Sequence, residues 1–182
     1  LIVNTKGKNK YTVLAIDNLN KSNNAFYWKN EFLNLSPIEN EFFQTTNILS
    51  LCKDFVNKTL PESYEITKAE QAVLLNQTID YFKTESFFDS RKFQNEVLKE
   101  KEFSKLFSEF KTEFEENNNI RVSEEFRISQ NAVKKQSAKF KSILKLDKNF
   151  HVYIHGDNNL IEKGYDKILN KSFYKIYFDE EQ

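Results

Sequence analysis

The sequence predicts an α+β fold, mostly helical, with four or five helices between an N-terminal β-hairpin and a C-terminal pair of antiparallel strands. β-forming runs stand near both ends, at Tyr11-Thr12-Val13-Leu14-Ala15-Ile16 and again at Phe150-His151-Val152-Tyr153-Ile154-His155 and Ser172-Phe173-Tyr174-Lys175-Ile176-Tyr177-Phe178. Between them apolar residues recur at intervals of three and four, the period of a helix with one buried face. The apolar supply is ample, since 39% of the 182 residues are hydrophobic and 18 are Phe and 8 Tyr.

Taken in order, Leu1-Ile2-Val3 and Tyr11–Ile16 form the expected hairpin, turned by Gly7 and Asn9. The polar run Asn18–Asn24 is a loop, and Phe26-Tyr27-Trp28-Lys29-Asn30-Glu31-Phe32-Leu33 reads as core in preference to a base-stacking platform. A first helix is expected from about Glu39 to Thr59, with Ile48, Leu51, Phe55 and Val56 buried and Leu60-Pro61 ending it. A second runs from Thr67 to Phe82. It opens on Thr67-Lys68-Ala69-Glu70, where hydroxyl and carboxylate satisfy free backbone donors, and it buries Ala69, Ala72, Val73 and Ile79.

Asp89 caps a short helix containing Phe93, Val97 and Leu98. A longer helix from about Glu102 to Glu116 aligns Phe103, Leu106, Phe107, Phe110 and Phe114 on one face, and Asn117-Asn118-Asn119 closes it. Residues 121–127 are a short connection. Ser129 then caps a helix from Gln130 to about Lys145, and the strands Phe150–His155 and Ser172–Phe178 pair with each other. Three regions are expected: 1–35, the end of an N-terminal α/β region; 36–126, a helical core; and 127–182, a lysine-rich helix with the terminal strands.

Composition narrows the function. The 27 basic and 27 acidic residues cancel, which argues against a uniformly basic nucleic-acid binder. No stretch approaches the roughly 20 apolar residues of a membrane helix. The chain opens on Leu1 within an apolar run, so it is read as a fragment of a longer protein with no export signal in view. Cys52 stands alone in Leu49-Ser50-Leu51-Cys52, as a small buried hydrophobe in a reducing compartment would.

Catalytic patterns are missing. With glycines only at Gly7, Gly156 and Gly164, neither a phosphate-binding loop nor a dinucleotide fingerprint can be written. His151 and His155, four residues apart on a strand, would stand about 13 Å apart, too far to share one metal ion. Glu113, Glu115 and Glu116 belong to a charged helix face, and no Ser, His and Asp constellation is recognisable. The expectation is a protein that is not an enzyme, with no catalytic residue, metal or cofactor.

The positive signal lies between residues 127 and 148. Arg127, Lys134, Lys135, Lys139, Lys141, Lys145 and Lys148 face one acid, Asp147, a balance of 7 − 1 = +6. Residues 85–125 before it carry 11 acids against 7 basic groups. On a continuous helix Val133, Ser137, Phe140 and Leu144 would form a buried seam, with Lys134, Lys141 and Lys145 within about 40° of one another beside it. Such a face suits neutralisation of phosphates without reading bases. A merely solvated lysine face is the plain alternative.

Several segments resemble the 37-kilodalton nucleoid-associated proteins of bacteria (NdpA-like). They are Ala25–Leu33, Gln44-Thr45-Thr46-Asn47, Cys52-Lys53-Asp54-Phe55-Val56, Ala132-Val133-Lys134-Lys135-Gln136 and Leu146–Gly156, in the family's order across nearly the whole chain. The resemblance implies a cytoplasmic, nucleoid-associated protein that binds DNA, this chain being its C-terminal portion, and it brings no catalytic motif. The leading expectation is therefore sequence-tolerant contact with double-stranded DNA through the lysine-faced helix. The alternatives are a protein-interaction or homodimerisation module of a nucleoid protein, and part of a nuclease whose active site lies in the missing N-terminal half.

Overall fold

The structure, a computed structural model, describes residues 2–5, 11–14, 32, 37–140, 143–154 and 160–180. The chain divides into two compact units, residues 1–38 and 39–182. In the first, β1 (Ile2–Thr5) and β2 (Tyr11–Leu14) pair antiparallel, Ile2 opposite Leu14 and Thr5 opposite Tyr11. This is the expected hairpin. The aromatic segment 26–33 lies outside the described residues except for Phe32, which is exposed.

The second unit begins with α1 (Glu41–Asp54), capped by Asn40, whose side chain accepts from the Phe43 amide. It continues through a π turn, Phe55–Thr59, into α2 (Leu60–Ser63). Pro61 therefore does not end the helix as the sequence suggested. The wide turn precedes it, so the proline falls in the first positions of α2, where no backbone N–H is required.

Helix α3 (Lys68–Thr84) starts at the expected box: Glu70 N donates to the Thr67 hydroxyl at 3.2 Å, and Thr67 N donates to the Glu70 carboxylate at 2.6 Å. Strand β3 (Phe87–Asp89) leads into α4 (Ser90–Phe93), where Asp89 accepts from Lys92 N at 2.9 Å, and a second π turn, Gln94–Leu98, completes that helix. The long α5 (Lys101–Asn118) stops where Asn119 turns left-handed at φ 49°, a conformation asparagine tolerates. Strand β4 (Glu125–Arg127), within what read as plain connection, pairs with β3.

The main core gathers Phe55, Phe82, Phe88, Phe93 and Phe107, all essentially inaccessible. Phe55 meets Phe107 edge-on at 5.2 Å, and Phe82 stacks on Phe88 at 5.4 Å. Of the α5 stripe, Phe107 is fully inside, while Phe103, Leu106, Phe110 and Phe114 pack half-buried against the same core. Burial of each large side chain contributes roughly 1.5–3 kcal/mol.

Helix α6 is shorter than its lysine pattern predicted. It spans Gln130–Ser137, tightens into a 3-10 turn at Ala138–Phe140, and gives way to β5 (Ile143–Leu146). β5 pairs with β6 (Phe150–Tyr153) across a turn in which Asp147 adopts φ 52°. Phe140 and Leu144 keep the helical spacing and are both buried, but in different clusters. The alternation Ile143-Leu144-Lys145-Leu146 and the nearby partner strand win over continued helix.

The terminal strands also differ from expectation, since β6 pairs with β5 and not with the last strand. β7 (Ile161–Asp166) and β8 (Lys171–Ile176) form their own hairpin, turned by the Asp166 carboxylate, which accepts from Ile168 N and Leu169 N at 2.8 and 3.0 Å. Among the described residues every sheet is two-stranded. The two C-terminal hairpins and the first half of α3 enclose a second, smaller cluster of Ala69, Ala72, Val73, Leu144 and Ile154.

Candidate nucleic-acid interface

Helix α6 is held by polar side chains from elements far away in sequence. Thr45, on α1 and fully buried, donates its hydroxyl to Glu41 O at 2.7 Å and accepts from Ser129 N at 3.0 Å. Its neighbour Gln44 donates to Arg121 O at 3.3 Å and accepts from Ser123 N at 3.0 Å, fixing the connection that leads to β4. Gln130, the first residue of α6, donates to Phe82 O and Glu85 O, carbonyls around the C-terminus of α3 that have no further helical turn to serve. Ser129 occupies the N-cap position, but its side chain makes no capping bond.

So anchored, α6 presents one face outward. Residues 130, 131, 134, 135, 138 and 139 are exposed, while 129, 132, 133, 136 and 140 are buried. The outward face carries Lys134, Lys135 and Lys139, with Lys134 and Lys135 in the last turn, where the helix dipole favours positive charge. Lys135 also lies over the Phe42 ring, 5.8 Å from its centroid.

The other basic positions are not on this helix. Arg127 is exposed on β4, opposite Phe87; Lys145 is exposed on β5, opposite His151; Lys148 is exposed in the turn beyond it. Lys141 lies outside the described residues. The single lysine stripe expected from Lys134 to Lys145 is thus replaced by a helical face and a separate hairpin contribution, because the chain changes from helix to strand between them. Every ion pair among the described residues uses other lysines, those at 58, 83, 92, 105 and 111. Among the described residues Arg127, Lys134, Lys135, Lys139, Lys145 and Lys148 form none.

His151 is exposed on β6 and His155 lies outside the described residues. Among the described residues no group of three or more His, Cys, Asp or Glu side chains is placed to hold a metal ion. Cys52 is buried against α1's neighbours, and burial pushes its thiol far above the ordinary range, the opposite of an activated nucleophile. No described helix is long and apolar enough to cross a membrane.

Sequence reading gave Gln44, Thr45 and Gln130 no anchoring role, although Gln44 and Thr45 stand in one of the segments that carry the family resemblance. Their signal is faint: a Gln-Thr pair at positions on α1 that share the buried side with Ile48 and Leu49. Comparison with known proteins finds no match among curated proteins or solved structures. Residues 1–175 match the profile of a family described as nucleoid-associated protein YejK. Since the match covers nearly the whole chain, the chain belongs to this bacterial family of nucleoid-associated proteins, which places it in the cytoplasm at the nucleoid.

Proposed function

We propose that this chain binds double-stranded DNA by its phosphate backbone, without catalysis and with weak sequence preference. The observation that carries the reading is the set of exposed basic side chains between residues 127 and 148 that no carboxylate engages among the described residues. Lys134, Lys135 and Lys139 on the α6 face form its centre, and Arg127, Lys145 and Lys148 extend it; Lys141 falls in the same stretch of sequence. All of the set but Arg127 are lysines, whose ammonium groups neutralise phosphates and release counterions and lack the planar fork with which arginine reads guanine.

The test is a salt titration of binding to two duplexes of unrelated sequence. The logarithm of affinity should fall linearly with the logarithm of salt, with about 0.9 of slope for each phosphate neutralised, and the two lines should coincide. Binding indifferent to salt, or confined to one duplex, contradicts backbone contact.

A second reading, self-association, is favoured by a different observation. Phe150, Tyr153, Tyr165, Phe173, Ile176 and Phe178 are exposed on or next to the two C-terminal hairpins, whose outer edges are unpaired among the described residues. Light scattering of the chain at rising concentration separates a homodimer joined there from a monomer.

A further inference from the structure

A cleft of about 360 Å³ lies where the first turns of α3 face strand β5. Its wall includes two cationic side chains from different elements, Lys68 of α3 and Lys145 of β5, and no carboxylate. Glu70, the nearest acid in sequence, is tied to the Thr67 amide and hydroxyl and is not part of the wall.

Gln71, also in the wall, is only 3% exposed, and its amide nitrogen has no hydrogen-bond partner. The orientation of that amide is fixed, because Lys68 Nζ donates to its oxygen at 2.8 Å, so the unpartnered atom is the NH2 donor. A buried donor without an acceptor is rare in folded proteins and marks a place where an acceptor is missing. Apart from Asn57 the remaining wall is apolar, with Ala72, Leu75 and Leu144, and Tyr174 lines it as well. Burial, reinforced by the Glu70 carboxylate, pushes the Tyr174 phenol up.

We infer that this cleft binds a small phosphorylated molecule of mononucleotide size, its phosphate held by Lys68, Lys145 and the Gln71 amide and its flat apolar part against Leu75 and Tyr174. Three donors and no acidic group select an anion; a phosphate, with several acceptor oxygens, answers all three at once. The volume, and apolar side chains standing beside the polar ones, suit a small organic ligand better than a bare ion. The cleft shares Lys145 with the DNA reading, whereas Lys68 and Gln71 take no part in that reading and so separate the two.

Calorimetric titration of the chain with adenosine 5′-monophosphate, with adenosine as the control, tests the inference. One equivalent of the nucleotide should bind and adenosine should bind at least about tenfold more weakly. Gln71→Leu removes the unpartnered donor at similar volume, so the folded variant should keep or raise its unfolding midpoint while losing about tenfold in nucleotide affinity, with duplex binding unchanged. Lys68→Gln, at an exposed position, should fold and weaken the nucleotide several-fold. Equal affinity for adenosine and its monophosphate, or unchanged nucleotide affinity in either folded variant, overturns the inference and leaves the DNA proposal standing.

Discussion

Replacing Thr45 with Val probes the contact that holds the basic helix in place. The two side chains are nearly the same size, so the packing of α1 is preserved and only the hydroxyl is lost. That hydroxyl is the acceptor for Ser129 N, 84 positions along the chain, in a setting where Thr45 is 0% exposed. Leaving the Ser129 donor buried without a partner costs about 1–3 kcal/mol. For a chain of this size each kcal/mol lowers the unfolding midpoint by about 2–4 °C, so the expected drop is roughly 2–12 °C. Thr45→Ser keeps the hydroxyl and removes one methyl group, a loss of about 0.8 kcal/mol in transfer terms. Amide exchange adds a local readout: Ser129 N–H should lose protection in Thr45→Val and retain it in Thr45→Ser. If Thr45→Val is as stable as the parent and Ser129 remains protected, the bond does not anchor α6.

Phe107→Ala should cost about 3–5 kcal/mol in denaturant unfolding, because Phe107 is fully buried and meets both Phe55 and Phe93. The Cys52 thiol, held neutral by burial, should resist thiol reagents until the chain unfolds. Its folded pKa lies above the unfolded value of about 8.5, so its contribution is intact below that pH; as pH rises further, the unfolded thiol ionises first and stability falls by up to about 1.4 kcal/mol per unit. A Cys52→Ala chain, compared across that window, should lack this component. Gly164 faces Phe173 across the β7–β8 pair, and an added Cβ would come within 2.2 Å of its ring, so Gly164→Ala should displace the ring and loosen that hairpin, seen as faster amide exchange between residues 161 and 176.

Local signals were the legible ones. The Thr67 box, the Asp89 cap, the Asn119 stop and the α5 phenylalanine stripe each depend on residues within a few positions of one another, and the structure reproduces them. Strand partners were harder, because β-forming composition does not say which strand lies alongside. Residues 161–166 carry Gly164 and charged side chains and gave little sign of a strand, yet they pair with the last one, and residues 143–146 were hidden inside a helical lysine pattern. Pro61 misled for a related reason, since the π turn that accommodates it has no sequence signature. The basic set was visible as composition, but its division between α6, β4 and the β5–β6 hairpin depends on where the helix ends. The unpartnered amide of Gln71 was invisible too. Gln71 sits on α3 among residues buried on several sides, and nothing in the sequence reveals that its amide lacks a partner.

We propose that the α6 face, rather than overall charge, carries DNA contact. Two triple variants with equal loss of charge address it: Lys134→Gln, Lys135→Gln, Lys139→Gln on that face, and Lys101→Gln, Lys105→Gln, Lys167→Gln at exposed positions elsewhere. Glutamine preserves length and helix propensity, so both should remain folded. With each lysine on a phosphate, the first variant should reduce the salt slope of duplex binding by up to about 2.7 and weaken binding alike on unrelated sequences, while the second stays close to the parent. Equal losses in the two variants, or an unchanged slope in a folded α6 variant, would mean that the α6 face does not carry the contact.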